Sequence, residues 1–384
     1  MSHPRITRRR FLRRIAAFSS FATLAPIRLK FPDEGLHSVL STKIPEVIKL
    51  NGVPGLSISL VEDARIVWIK GFGVKKNGTL DPVLSDTVFE AASLSKPVFA
   101  AIVLGMAERK LIDLDAHIGE FFRFPDFMDD PTVDLITPRI VLSHQTGLQN
   151  WRPAREKMKF QFKPGEGFSY SGESYVRLQR AVERIAGKSL NHLAEEYIFK
   201  PLQMKESSFV WRHPYLAAAA EGHESDGTVH RTRLWEYSSD SPAARRMPPG
   251  VDIPLFAVPN AAASLYSTAG DYARFLAALL ESGKTSRWLS PETIDRMLQP
   301  VSIVNERISW CLGIGLEKGN RGEYFWQWGD NDIYQGFAIM NRKQQSGLVI
   351  LTNSAHGLRV CKEIVPIVFP DDHAAFSWRM VRAG

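Results

Sequence analysis

The sequence predicts an α+β fold, an α/β sandwich built on an antiparallel sheet with a helical lobe inserted into it. Strand-like patterns are confined to residues 56–69 near one end and 308–353 near the other. The stretch from about 110 to 280 reads as helices and loops rich in Pro and Gly. Strands from both ends must then share one sheet, with the middle folded as a lobe between them. At 384 residues the chain can bury the core of one large domain or of two intertwined ones.

Residues 34–50 carry Leu36, Val39, Leu40, Ile44, Val47 and Ile48 at helical spacing, and Asn51-Gly52 ends the pattern. Leu56, Ile58 and Leu60 alternate, Glu62 to Arg65 turns the chain, and Ile66 to Ile69 returns it, which predicts a hairpin. Ser93 to Lys110 is apolar nearly all round and predicts a buried helix, with Pro97 tolerated in its first turns. Val176 to Gly187 and Asp271 to Glu281 predict two further helices. Ile308–Leu316, Tyr324–Trp328, Gly336–Asn341 and Leu348–Asn353 predict strands, and a helix follows near 358–368. The body of the protein spans residues 35–365, with a sheet lobe of about 35–92 plus 300–384 and a helical lobe of about 93–299. A ligand site is expected where the lobes meet.

The net charge of +7 has a local origin. Arg5, Arg8, Arg9, Arg10, Arg13 and Arg14 fall within residues 1–25, where there is no acid, so the rest of the chain is nearly neutral. Nucleic acid and anionic lipid are therefore not expected partners. Thr7 to Arg13 has the twin-arginine pattern and is followed by the apolar run Ile15–Ala25, too short for a comfortable membrane span. Residues 1–30 thus predict a twin-arginine export signal to the periplasm, with an uncleaved anchor as the alternative and no other membrane span. Cys311 and Cys361 are the only cysteines. Export would permit a disulfide, whereas their apolar contexts favour two buried thiols. No His/Cys cluster has metal spacing, so neither a metal nor a cofactor is expected.

Ser93-Leu94-Ser95-Lys96 is the one Ser-x-x-Lys of the chain and lies at the mouth of the predicted buried helix. Positions i and i+3 share a helix face, so the amine can help remove the hydroxyl proton, which a nucleophilic serine needs. A chain of this length holds roughly one such match by chance, and the context decides. Phe89-Glu-Ala-Ala-Ser-Leu-Ser-Lys-Pro-Val98, Val141-Leu-Ser-His-Gln-Thr-Gly-Leu148 and Pro164-Gly-Glu-Gly-Phe-Ser-Tyr-Ser-Gly172 occur in that order, as do Ile198–Met204 and Ala263–Ala269. With these stretches the chain resembles the serine β-lactamase and penicillin-binding-protein superfamily, in its class C-like branch.

The resemblance implies a β-lactamase/transpeptidase-like fold and a catalytic set of Ser93, Lys96 and Tyr170. Ser93 would form an acyl-enzyme, and its backbone N–H would be one oxyanion donor. A free phenol titrates near 10, and bringing Tyr170 near 7 takes roughly 4 kcal/mol, which a buried Lys96 ammonium could supply. Tyr170, or the Tyr170–Lys96 pair, is then the general base, and a coupled pair need not allow a single assignment. His144 is expected to orient the loop before Tyr170, and Glu166 and Glu173 to be solvated.

The chain departs from the family pattern in two places. The third motif, commonly Lys-Thr-Gly or His-x-Gly, corresponds best to Gln327-Trp328-Gly329, followed by Asp330 as the second backbone oxyanion donor. Gly172 stands where the family commonly has an Asn that helps hold the acyl side chain. Gln327, Trp328, Gly329 and Gly172 are thus the predicted substrate-binding positions, with two anchors for a β-lactam or D-Ala carboxylate missing unless an arginine such as Arg342 replaces them. Phe168, Trp151, Trp326 and Trp328 could form an apolar acyl pocket. The expected function is an exported serine hydrolase of esterase or amidase type, acting on a small-molecule or peptide acyl substrate. A β-lactamase or D-alanyl-D-alanine carboxypeptidase is the alternative, and a catalytically silent penicillin- or peptide-binding relative is the alternative of another class.

Overall fold

A computed structural model of the chain describes residues 33–121, 127, 129–151, 157–230, 259–281 and 288–384. The predicted export signal at 1–30 lies outside the described residues. The fold begins with α1 (Asp33–Leu50) and the hairpin β1 (Gly55–Glu62) and β2 (Arg65–Gly73). Asp63 and Ala64 turn that hairpin with positive φ at both positions (47° and 57°). That hand matches the right-handed twist of the strands.

A short strand β3 (Phe89–Ala92) leads into α2 (Ser95–Glu108). Beyond it come α3 (Gly172–Ala186), β4 (Leu265–Ser267) and α4 (Ala269–Leu280). The second group of strands is β5 (Ser302–Ile303), β6 (Ile308–Trp310), β7 (Gly315–Gly319), β8 (Gly322–Asp330), β9 (Gln335–Asn341) and β10 (Ser346–Thr352). The helix α5 (Gly357–Val368) follows them.

Eight strands form one sheet in the order β2-β1-β10-β9-β8-β7-β6-β5. Every pairing is antiparallel, and Ile58 of β1 lies opposite Ile350 of β10. The two ends of the chain therefore meet in the middle of one sheet. Leu56, Ile58 and Leu60 face a core shared with α1 and α5, and α4 covers β1, β2 and β10 from the opposite side. The helix α2 is buried from Ser95 to Met106. Each of Phe99, Ile102, Val103 and Leu104 contributes about 1.5–3 kcal/mol by leaving water.

Several boundaries differ from the sequence prediction. The run 308–316 is not one strand, because a turn at 311–314 separates β6 from β7. The helix after Tyr170 starts at Gly172, four residues before the predicted start at Val176, because Ser171 caps it through its hydroxyl. The helix α2 starts at Ser95, so Ser93 lies in the turn ahead of it. The strands β3 and β4 pair with each other and are too short for periodicity to reveal.

Cys311 and Cys361 are both buried free thiols. They belong to separate cores, Cys311 with α2 and Cys361 with α1, so no disulfide joins them. Among the described residues no helix is long and apolar enough to cross a membrane.

Sheet geometry also creates the cleft. The last pair between β7 and β8 is Gly315 with Trp326, while β8 runs on to Asp330. Residues 327–330 thus present a strand edge without a β7 partner. A Cβ at Gly329 would come within 2.4 Å of the Ala91 carbonyl oxygen, so only glycine lets that edge close onto β3.

Candidate active site

Ala92 adopts φ +48°, a left-handed conformation costly for a residue with a Cβ. This elbow between β3 and α2 turns Ser93 out of the core, and Ser93 alone of residues 91–96 is not fully buried. Ser95, which the sequence did not single out, fixes the elbow. Its hydroxyl donates to the Ala92 carbonyl (2.6 Å) and accepts from the Leu265 N–H (3.0 Å). The Tyr272 hydroxyl donates to the Leu94 carbonyl at 3.0 Å.

Lys96 has no exposed surface. Its Nζ lies 2.9 Å from the Ser93 hydroxyl and 2.9 Å from the Ala262 carbonyl. It also sits over the Tyr170 ring, 4.7 Å from the centroid. The Tyr170 hydroxyl accepts from Gln327 Nε2 at 3.1 Å and lies close enough to Ser93 for that side chain to oppose the upward push of burial on the phenol. The predicted trio is therefore assembled, with Gln327 as a fourth member.

Its electrostatics differ from the expectation that Tyr170 would be pulled toward neutrality. Burial pushes the Tyr170 phenol up, against the hydrogen bonds from Ser93 and Gln327. Burial likewise holds Lys96 well below the ordinary lysine value. Both shifts favour neutral forms, a protonated phenol beside an uncharged amine. Among the described residues no carboxylate pairs with Lys96 to restore its charge, so the lysine and not the tyrosine is the group whose pKa moves toward the working range.

The loop that carries Tyr170 is held from below. His144 is buried with φ +57°, and its Nδ1 accepts the Ser171 N–H at 3.0 Å while its ring lies 4.2 Å from that of Tyr170. The Asn150 side chain accepts the Gly172 N–H at 2.9 Å. Burial holds the His144 imidazole well below its ordinary value and favours its neutral form. Glu166 is exposed as expected, but Glu173 is not solvated; it is buried in an ion pair with Arg177 at 2.7 Å.

At Gly172 a Cβ would sit 2.5 Å from the Trp151 indole, so Trp151 occupies the room an Asn side chain would need. Trp326 is fully buried, stacked on Phe337 in the core, and forms no part of an acyl pocket. Trp328 packs 4.6 Å from Tyr170 and is nearly buried, whereas Trp151 and Phe168 keep partial exposure. Arg342 does not replace the missing cation, because its guanidinium is paired with Asp295.

Beneath the edge of β8 lies Glu90, also overlooked in the sequence. Asn331 donates to its Oε2 at 3.0 Å, Oε1 is buried without a partner, and burial raises its pKa to about 8. The Asp330 carboxyl is pushed up by burial and opposed by Arg382, whose Nε donates to it at 2.9 Å. Among the described residues no group of His, Cys, Asp and Glu could hold a metal ion.

Residues 42–363 match the Beta-lactamase family. The chain is 23% identical over 322 residues to esterase EstB of Burkholderia gladioli, covering 71% of this chain and 76% of that one. It is 20% identical to protein flp of Staphylococcus aureus strain MW2, covering 82% of this chain and 62% of that one. Among solved structures, a class C β-lactamase superposes with TM-score 0.73 at 14% identity, covering 89% of this chain and 99% of the other. A D-alanine carboxypeptidase from Burkholderia cenocepacia superposes with TM-score 0.71 at 16% identity, covering 88% and 99%. The chain belongs to the Beta-lactamase family and is a serine hydrolase of that superfamily.

Proposed function

We propose that this chain hydrolyses esters, or activated amides, of neutral apolar acyl groups through an acyl-enzyme on Ser93. The observation that carries the proposal is the uncharged chain of contacts Gln327–Tyr170–Ser93–Lys96, set against a strand edge that offers no cation. Neutral Lys96 accepts the Ser93 proton as Oγ attacks the carbonyl carbon. The N–H groups of Ser93 and Asp330 take the oxyanion, a role that depends on backbone position and not on side chain. The bond to the leaving oxygen then breaks. The proton held by Lys96 leaves with the alcohol, passed through the Tyr170 hydroxyl, which is protonated before and after. Water repeats the sequence on the acyl-enzyme: Lys96 takes its proton, the acyl–Ser93 bond breaks, and Ser93 recovers a proton.

Esterase EstB supports this substrate class more than the β-lactamases do, because Trp151 fills the space beside Gly172 and Gln327 puts an uncharged side chain on β8. The twin-arginine pattern at Arg8–Arg13 supports export of the mature enzyme. Parallel assays with p-nitrophenyl esters and nitrocefin test the reading. Ester turnover should exceed nitrocefin turnover at least about tenfold. Ser93→Ala should abolish both turnover and fluorophosphonate labelling, by about a thousandfold or more. Efficient nitrocefin hydrolysis with little esterase activity, or wild-type-like turnover by Ser93→Ala, would overturn it.

A further inference from the structure

Residues 369–384 take no part in the sheet, yet they return to the catalytic tyrosine. The segment is fastened along its length. The Asp371 carboxylate accepts the N–H groups of Asn320 and Arg321, both at 2.8 Å, in the turn between β7 and β8. His373 and Glu317 form a buried pair at 2.5 Å, and the other oxygen of Glu317 accepts the Ala375 N–H at 2.7 Å. Further on, Arg382 bonds both Asp330 (2.9 Å) and Asp332 (3.0 Å) at the end of β8.

Between these anchors Trp378 lies edge-on to Tyr170, with ring centroids 6.4 Å apart and planes at 78°. It also meets Trp328 at 5.4 Å and Phe168 at 5.9 Å. Unlike Trp310 and Trp326 deeper in the same cluster, Trp378 and Phe168 keep part of their surface exposed. Arg382 spends its charge on two carboxylates, so the segment brings an apolar face to the cleft and no free cation from that residue.

We propose that Trp378, with Phe168, is the platform on which a flat apolar leaving group rests during acylation, making the 369–384 segment the determinant of leaving-group specificity. The proposal rests on the acyl-enzyme reading above. There the leaving oxygen takes its proton through the Tyr170 hydroxyl, so the leaving group must lie on the Tyr170 side of Ser93. That is the side Trp378 and Phe168 flank, whereas Trp151 at Gly172 borders the position associated with the acyl group. An aromatic leaving group stacked there gains an edge or offset contact that an alkyl alcohol does not.

The test holds the acyl group constant and varies the alcohol, comparing kcat/KM for phenyl acetate and ethyl acetate. Trp378→Ala should lower the aryl-to-alkyl ratio by about three- to tenfold, mainly through KM, the range expected for one aromatic contact. Trp378→Leu, which fills the space without an aromatic face, should do the same and guards against misfolding of the alanine variant. Trp378→Phe should recover at least half of the ratio. Folded Ala and Leu variants, with wild-type melting and fluorophosphonate labelling of Ser93, whose ratio stays within about 1.5-fold of wild type would overturn the platform alone. Wild-type protein that neither turns over an ester nor labels at Ser93 would overturn the acyl-enzyme reading, and the platform with it.

Discussion

On the helical wall of the cleft, Ser93, Lys96 and Tyr170 come together against the apolar core, and burial governs how Lys96 and Tyr170 titrate. On the strand wall, residues 327–330 present a backbone edge without a β7 partner, and their side chains are engaged elsewhere: Gln327 with Tyr170, Trp328 with the aromatic cluster, Asp330 with Arg382. The first wall depends on residue type, because desolvation favours the neutral form of a basic side chain such as Lys96, and a neutral base can accept a proton. The second needs a strand that outruns its neighbour and a glycine where it meets β3. An uncharged Gln327 on that strand leaves its backbone edge in place, whatever the side chain recognises.

The largest effect should come from the helical wall. Lys96→Met is expected to lower kcat/KM by about a hundred- to ten-thousandfold, as loss of a general base does. It should also raise the melting temperature at neutral pH. The unfolded chain holds a protonated lysine there while the folded protein favours the neutral amine, so folding releases a proton and costs stability until the pH passes the ordinary lysine value. For the wild type, kcat/KM should rise with pH through the lowered Lys96 pKa and level off well short of 10.5. An ascending limb that persists to 10.5, or a less stable Lys96→Met, would contradict a neutral lysine.

A smaller change is expected from Glu90 below the strand wall. Its pKa rises from 4.5 to about 8 on folding, so its contribution is favourable below 4.5 and is progressively lost as the pH climbs to about 8. At pH 7 the loss is on the order of 3 kcal/mol. Glu90→Gln should thus stabilise the protein at pH 7 by about 1–3 kcal/mol and give no gain at pH 4, read from urea unfolding at both values. An equal effect at both would show that the carboxyl does not titrate with folding.

The smallest effect belongs to Gln327→Ala, which removes one donor to the Tyr170 hydroxyl. A hydrogen bond of about 0.5–1.5 kcal/mol corresponds to roughly a three- to tenfold fall in ester kcat/KM. A loss as large as that of Lys96→Met would erase the contrast between the walls.

The contrast also explains what could be read from the chain. Ser93, Lys96 and Tyr170 stand in short stretches whose residue types declare the chemistry, and the hairpin and the long apolar helix follow from periodicity. Ser95, Ala262 and Glu90 were passed over because a serine, a backbone carbonyl and a single acid carry no pattern. Glu173 reads as solvated in the sequence because its partner Arg177 lies one helical turn away on a helix predicted to start later. The electrostatics of the pair likewise depend on more than residue type. Residue types suggested an ammonium beside a phenolate, but desolvation, which depends on everything packed around the pair, pushes both toward neutrality.

By itself the sequence pointed to Ser93, Lys96 and Tyr170 as one set, to the antiparallel sheet shared by the two ends of the chain, and to an uncharged Gln327 on β8. These are properties of residue identity and local spacing. Only the tertiary structure decided that Trp151 fills the space beside Gly172, that Trp326 belongs to the core, and that Cys311 and Cys361 lie in separate cores. It alone brought Trp378, more than two hundred positions away in the chain, against Tyr170. Such contacts are set by sheet register and by where an anchored segment comes to rest, and no local pattern of residues encodes either.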